Sequence, residues 1–144
     1  MARITAEQVA AALSATLAEE PPVAVASAYV FGSVAEGRAH RESDVDVALL
    51  LARDRHPSAA ERFEARLRLS TRLRARLGRP VDVVILNDAT PGLGRHVVHH
   101  GLRVLLRDVE ADHGFGRDVQ LRAADLEPFP RRLRGLKLEA LARP

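Results

Sequence analysis

The segment YVFGSVAEGRAHRESDVDVALLL, residues 29–51, joins two apolar runs through a polar stretch that contains two glycines. The first run covers residues 23–31 and stops at Gly32, which is typical of a short buried strand. The second run, residues 45–51, is apolar on both faces beyond Asp46 and predicts another buried strand. The residues between them, 33–43, are predicted to form a loop or a short helix. A strand–turn–strand unit therefore organises this part of the chain.

Helical and strand-like patterns alternate along the rest of the chain. They predict helices over 5–20, 57–77, 92–100 and 131–142, and strands over 81–86 and 103–106. Thr5 is the candidate N-cap of the first helix, and Gly78 ends the longest one. The apolar stripe of that longest helix is predicted to comprise Ala60, Phe63, Leu67, Leu69, Leu73 and Leu77.

The length of the chain favours one domain, because 144 residues is close to the commonest domain size. Residues 1–108 are predicted to form the core, and residues 109–144 a C-terminal tail with one helix that belongs to the same domain. The predicted fold class is α/β (α+β), with a small mixed sheet flanked by helices. In this sheet the first two strands should be antiparallel, and the second and third parallel.

Composition excludes several classes of protein. Apolar residues make up 47% of the chain and aromatic residues 3%, so the core must be aliphatic. There is no apolar run long enough for a membrane span and no basic-then-apolar leader, so we expect a cytoplasmic protein without membrane contact. The absence of cysteine removes disulfides, zinc–thiolate sites and thiol nucleophiles. The net charge of +3 is weak evidence for a polyanion, so no direct nucleic-acid binding is expected.

Three aspartates are the candidate metal ligands. Asp44 and Asp46 stand two residues apart at the start of a predicted strand, so their side chains share a face. Carboxylates this close repel each other unless a cation lies between them, and oxygen ligands favour magnesium. The helix over 57–77 makes a crossover that normally joins parallel strands, so Asp82 should lie beside the other two. Three carboxylates at one sheet edge suit a two-metal site.

Gly32 and Ser33 directly follow the first strand and form a candidate phosphate site. Glycine lets a phosphate approach the backbone closely, and free N–H groups at a helix start favour anions. The Ser33 hydroxyl can add a hydrogen bond to a phosphate oxygen. Together with the carboxylates, this arrangement indicates phosphoryl or nucleotidyl transfer from a nucleoside triphosphate with magnesium.

The run GSVAEGRAHRESDVDV, residues 32–47, resembles the signature of the minimal nucleotidyltransferase (MNT) domains of the polymerase-β-like superfamily. That signature is Gly-Ser, ten residues, then Asp-x-Asp, and the supporting positions Ala35, Gly37 and Ser43 agree with it. The resemblance extends from the first strand to about Asp108 and implies the nucleotidyltransferase fold. The region beyond it matches no family pattern.

The same resemblance implies a reaction and a partner. Many stand-alone MNT domains are antitoxins of a HEPN ribonuclease encoded next to them, and they transfer AMP from ATP to a tyrosine hydroxyl of that toxin. We therefore expect a hetero-oligomer with a HEPN toxin. The resemblance implies that two Mg²⁺ ions and the catalytic step depend on Asp44, Asp46 and Asp82. It implies that the nucleotide is bound by Gly32, Ser33 and Ser43. Asp82 would also draw the proton from the incoming hydroxyl.

Two other functions stay open. The chain could be an antitoxin that neutralises its toxin by binding alone, with a vestigial nucleotide site, although a pure binder has no need to keep the acidic cluster. It could also modify a small molecule such as an aminoglycoside. Enzymes of that type usually add a further domain to hold the acceptor, and this chain has little length left for one.

Two other clusters have ordinary structural explanations. His96, His99 and His100 lie on the helix over 92–100, and the first and last have a spacing that can bind a metal. Their apolar neighbours favour a packed helix end instead. The helix over 57–77 carries several arginines, which are predicted to form a solvated face partly neutralised by Glu61 and Glu64. A docking surface for an acidic partner or for RNA is the alternative.

Overall fold

A mixed sheet with helices on both of its faces makes up residues 3–38 and 44–124, the part of the chain that this computed structural model describes. In chain order the elements are α1 (Ala6–Leu17), β1 (Val25–Phe31), β2 (Val45–Leu51), α2 (Ala59–Leu77), β3 (Val81–Ile85), a 3₁₀ turn (Leu86–Asp88), α3 (Pro91–His100), β4 (Leu102–Leu106) and α4 (Val109–Ala124). The strand order is β3–β2–β1–β4. β1 pairs antiparallel with β2 and β4, whereas β2 and β3 are parallel. The predicted fold class and strand directions are confirmed.

Two apolar layers lie on opposite faces of the sheet. On one face, α1 and α2 contribute fully buried side chains such as Leu13 and Leu69. On the other face, α3 contributes Val97 to a smaller core, against which α4 also packs. Successive side chains of a strand point to opposite faces, so Asp46 shares the second face with Ala48. The predicted acidic residues therefore lie on the α3 side of the sheet.

Capping groups set the ends of the helices. Thr5 accepts a hydrogen bond from the Gln8 backbone in a complete capping box, which confirms the predicted N-cap of α1. Ser58 and Thr90 cap α2 and α3 in the same way, each through its side-chain oxygen. Gly78 ends α2 with a φ of +65°, a conformation that glycine adopts without strain.

β2 has the predicted bounds, and where the ends of other elements differ from the prediction they do so by one to three residues. α1 ends at Leu17 rather than at residue 20, and β1 begins at Val25 rather than at residue 23. α2 begins at Ala59, two residues later than predicted, because Ser58 is its N-cap. β3 ends at Ile85, since the next residue starts the 3₁₀ turn. α3 and β4 each begin one residue earlier than predicted.

The buried face of α2 differs from the predicted apolar stripe. The residues that it buries are Arg62, Ala65, Leu69 and Leu73. Ala60, Phe63 and Leu67 are exposed, the last two to 53% and 52%, so the prediction was wrong for them. The physical reason is Arg62, whose guanidinium donates to both carboxylate oxygens of Asp88 at 2.9 Å. This bidentate ion pair directs Arg62 inward and leaves Phe63 on the outer side.

Two arginines further along α2 bind the segment that follows α1, so this side of the helix is not fully solvated. Arg72 and Arg76 both pair with Glu19, which follows α1; the Arg72 Nε lies 3.5 Å from one carboxylate oxygen. Arg76 donates a hydrogen bond to the other oxygen. Arg72 and Arg76 thus share Glu19, an acid from outside α2 that the sequence pattern did not indicate.

The sequence pattern gives no signal for α4, because Gly114 and Gly116 interrupt it and each glycine costs a helix about 1 kcal/mol. Contacts with α3 offset this cost. A Cβ on Gly94 of α3 would come within 2.9 Å of Val119, so glycine there lets the two helices approach closely. Asp108 supports the start of α4 by accepting a backbone hydrogen bond at 3.0 Å.

The helix predicted over 131–142 lies outside the described residues. Within residues 3–38 and 44–124, no helix is long and apolar enough to cross a membrane.

A buried polar network joins β1, β4 and α4. The Tyr29 hydroxyl donates to Asp112 Oδ1 at 2.6 Å, and Arg103 Nη1 donates to Asp112 Oδ2 at 2.9 Å. Burial acts to raise the pKa of Asp112, but the hydrogen bonds from its partners hold that pKa below its ordinary value. Burial and the adjacent carboxylate raise the pKa of Tyr29 to about 12. Asp112 thus keeps its charge in the interior, with both oxygens bonded.

Replacing Tyr29 by phenylalanine should destabilise the protein by about 2 kcal/mol at pH 7, because the buried Asp112 loses a hydrogen-bond donor. The pKa of Asp112 is depressed in the folded state. The stabilisation is therefore present above the ordinary aspartate pKa of about 4 and is lost as the pH falls through the folded value. The difference in free energy of unfolding between Tyr29→Phe and the native protein should therefore become smaller in acid. Urea unfolding at several pH values measures this difference.

Thr71→Val is the matched control for this loss of a hydroxyl. The Thr71 hydroxyl is exposed and bonds a carbonyl of its own helix, so its removal should change stability by less than about 0.5 kcal/mol. Equal stabilities of Tyr29→Phe and the native protein at pH 7 would contradict the importance of the network.

Candidate functional site

The register of β2 and β3 brings the predicted carboxylates together. The parallel ladder pairs Asp46 with Asp82, and the Val45 N–H donates to the Pro80 carbonyl at 3.1 Å where the two strands begin. Side chains at paired positions of neighbouring strands point to the same face of the sheet. Asp44 is exposed and adds its charge to the same edge. The structure therefore places all three predicted aspartates at one end of the sheet.

The pKa of Asp46 is strongly perturbed. Burial, the negative charge of Asp82 and then that of Asp44 raise the pKa of Asp46 to about 6. Each of these effects disfavours the ionised form of Asp46 when no cation is close by. A cation at this edge would relieve the repulsion.

Gly32 lies against the Asp46 carboxylate. It follows Phe31, the ladder partner of Asp46 in β1, and has a φ of +72°, which side-chain-bearing residues rarely adopt. A Cβ at position 32 would overlap Asp46 Oδ2. Backbone conformation and space both require glycine here, and together they bring the turn after β1 beside the acidic edge.

Ser33 lies in a hydrogen-bonded turn that matches the predicted loop. Its carbonyl accepts a hydrogen bond from the Arg38 N–H at 2.9 Å, and the Gly32 carbonyl accepts one from the Glu36 N–H at 3.1 Å. The Ser33 side chain is half-buried, and its hydroxyl bonds no other group in the described ranges. That hydroxyl is free to meet a ligand. Ser43, the other predicted nucleotide-binding residue, lies outside the described residues.

The chemistry of the acidic edge fits a hard divalent cation. Its side-chain donors are carboxylate oxygens, which favour magnesium. Burial and then the charges of Asp82 and Asp44 raise the pKa of Asp46, and a cation would offset the contribution of those charges. Within residues 3–38 and 44–124, no group of three or more His, Cys, Asp or Glu side chains is placed to hold a metal ion by itself. Magnesium bound at this edge would thus need further ligands from water or a phosphate.

His96 lies beside the site, and this position was not predicted from the sequence. Its ring meets Phe31 edge-on, with ring centroids 6.5 Å apart, and the His100 ring lies 5.1 Å from His96. Burial and then the charge of His100 lower the pKa of His96, whereas Glu36 acts in the opposite direction. The sequence interpretation was a packed helix end, which is correct locally. The position beside the turn could not be inferred, because it results from how α3 crosses β1.

Comparison with known families and proteins gives matches to much of this chain, and the family match includes the acidic edge and the turn after β1. A family model described as polymerase beta, nucleotidyltransferase, matches residues 12–110. The protein adenylyltransferase MntA of Shewanella oneidensis is 37% identical over 75 residues. That match covers 51% of this chain and 48% of the relative, so the chain spans about half the length of the curated relative it matches.

Similar solved structures come from toxin–antitoxin complexes. A crystal structure of a toxin–antitoxin with AMP-PNP has a TM-score of 0.65 and 25% identity, covering 87% of this chain and 91% of that chain. A complex of a tri-AMPylated Shewanella oneidensis HEPN toxin with an MNT antitoxin has a TM-score of 0.63 and 22% identity, covering 86% of this chain and 91% of that chain. The likeness in fold extends over most of the chain.

Gly32→Ala should move the Asp46 carboxylate away from the turn, because the new Cβ would take the place of Asp46 Oδ2. Gly37→Ala is a matched control, because Gly37 has a φ of +71° and no atom of the described residues lies within 4 Å of an added Cβ. Both variants should lose about 1–2 kcal/mol of stability from the left-handed conformation. Urea unfolding measures this loss, and the carbon-13 signal of the Asp46 carboxyl should shift in Gly32→Ala alone. An unshifted signal would contradict the close approach.

Proposed function

Because this chain belongs to the polymerase beta nucleotidyltransferase family, we propose that it is a magnesium-dependent antitoxin that transfers AMP from ATP to a tyrosine hydroxyl of a HEPN toxin. The observation that carries this proposal is the register that sets Asp46 beside Asp82 and against Gly32. It brings an acidic edge and a glycine-serine turn to the same end of the sheet. Nucleotidyl transfer needs both, one for the divalent ions and one for the phosphates.

The nucleotide would lie between the turn and the aspartates. Gly32 leaves the backbone accessible to a phosphate, and the Ser33 hydroxyl, which has no partner among the described residues, can donate to a phosphate oxygen. Asp44, Asp46 and Asp82 would hold two magnesium ions, which would supply charge neutralisation for the triphosphate and the leaving group when bound. Ser43 is proposed as a further nucleotide contact.

The acceptor hydroxyl would approach Asp82 on the face of the sheet that carries the aspartates. In the reaction a bond forms between the tyrosine oxygen and the α-phosphorus of ATP, and the bond from that phosphorus to pyrophosphate breaks. Asp82 would take the phenolic proton, as a general base within reach of the acceptor. The structure supports this role because β3 is an edge strand and Asp82 is half-exposed, so an acceptor can reach it without crossing the sheet.

The relatives support the identity of the nucleotide and the partner. One is named a protein adenylyltransferase, and the similar structures contain AMP-PNP or a tri-AMPylated HEPN toxin. AMP transfer to a HEPN protein within a hetero-oligomer is the function that agrees with both. The absence of cysteine fits a reducing compartment, and we infer that the protein acts in the cytoplasm.

The proposed division of the chain keeps residues 1–108 as the nucleotidyltransferase core and 109–144 as a tail of the same domain. The match to the family model ends close to this boundary, at residue 110. Contacts of α4 with α3 and β1 support the attachment of the first part of the tail to the core.

Replacing both Asp44 and Asp46 by asparagine should lower AMP transfer by about 100-fold or more, because the amides keep the shape of the carboxylates without their charge. The assay combines ATP labelled at the α-phosphate, magnesium and the HEPN protein encoded beside this chain, and it measures the label on that protein. Asp54→Asn is the matched control. It removes an exposed acid beyond the far end of β2 and should leave transfer at the native rate.

The outcomes of this assay separate the candidate functions. Transfer by the double variant at the rate of the control would contradict the assigned acids, provided that circular dichroism shows all proteins to be folded. Absence of label from the native protein, with the toxin still neutralised, would favour an antitoxin that acts by binding alone.

A further inference from the structure

A groove on the same face of the sheet as the acidic edge has no role in the chemistry proposed so far. It lies between α3, β4 and α4 and has a volume of about 750 Å³. Side chains that line it include Val98, Arg103, Asp112, His113, Arg117 and Leu121. It is thus a mixed surface that contains both charged and apolar groups.

The charges that this groove presents to solvent are positive. Asp112 also lines the groove, but it is 3% exposed and both of its oxygens are bonded, one by Tyr29 and the other by Arg103. The Arg103 side chain remains 43% exposed. Arg117 is exposed, and among the described residues no carboxylate pairs with it. A ligand in the groove would therefore meet arginines rather than acids.

Apolar surface lies beside these cations. Leu121 is 71% exposed, and Val98 is half-buried on the α3 wall. Exposed leucine next to arginine favours a protein segment that carries both acidic and apolar side chains. Single-stranded RNA is less favoured, because the Tyr29 ring is 6% exposed and offers no face for base stacking, which leaves His113 as the exposed ring of the lining.

The groove and the aspartates share one face of the sheet. Tyr29 belongs to the same apolar layer as Ala48 and Leu50. These two side chains lie on the same side of β2 as Asp46, because every second residue of a strand points to the same face. β4 lies two strands from β2, a distance of about 10 Å across the sheet. A protein that occupies the groove would therefore also cover the approach to the acids.

We propose that this groove docks an acidic, partly apolar segment of the protein that receives AMP. The inference rests on the proposed function, since it names the surface by which the same enzyme holds its acceptor. Docking keeps the acceptor hydroxyl near the nucleotide and raises its effective concentration. Disruption of the groove should therefore change the KM for the acceptor protein and leave the KM for ATP unchanged.

The test compares binding and transfer in charge-reversed variants of the full chain. Arg117→Glu should raise the Kd for the HEPN protein encoded beside this chain by about 10-fold or more, and should raise the acceptor KM. Leu121→Ser should act in the same direction, and exposure of both side chains keeps the fold intact. Arg74→Glu is the matched control, because it makes the same charge change at an exposed position on α2, across the sheet.

Titration calorimetry gives the Kd, and the labelled-ATP assay gives the KM values. A native Kd in both groove variants would overturn the proposal, and so would failure of the native protein to bind the HEPN protein.

Two other outcomes would assign the groove to a different occupant. If Arg117→Glu changes self-association in sedimentation while it binds the HEPN protein with the native Kd, the groove binds a second copy of this chain. Loss of binding to a short single-stranded RNA, again with native HEPN binding, would assign it to RNA. Binding of the HEPN protein by the native chain without label transfer would refute the enzymatic function, while the Kd values would still decide the role of the groove.

Discussion

Like charges lie side by side in this protein because β2 and β3 run parallel and in register. The apolar side chains of β3 hold that register. Val81, Val83 and Ile85 are buried against α1 and α2, and a slip by one residue would turn them outward. Burial of each such side chain is worth about 1.5–3 kcal/mol, so the core outweighs the repulsion between Asp46 and its partner acid. The chemistry of the acidic edge is therefore enforced by packing on the opposite face of the sheet.

The elements that could be predicted are those whose signals are local. Thr5 caps the helix that follows it, and the alternation of Asp82 with valines marks a strand with one buried face. The parallel direction of β3 follows from the helix that precedes it, which is why the grouping of the aspartates could be expected. The need for glycine at position 32 was expected from the motif, but the carboxylate that occupies the place of its Cβ was not.

What escaped prediction results from contacts between distant parts of the chain. Arg62 is buried instead of Phe63 because Asp88, 26 residues further on, binds its guanidinium. α4 forms in spite of its glycines because α3 offers a close contact at Gly94. His96 meets Phe31 only once α3 has crossed the sheet. In each case a tertiary interaction outweighs the local preference, and single-sequence patterns carry no record of it.

β1 is buried along its whole length between β2 and β4, and the turn that starts at Gly32 is anchored to it. The groove, by contrast, borders the peripheral strand β4 and a helix added after the sheet is complete. Residues at the rim of the groove can change without disturbing β1 or the turn that follows it. Under the proposed function, the fold thus separates the reaction from the choice of client: descendants of one ancestor could exchange the proteins that they modify and still inherit an unaltered reaction centre.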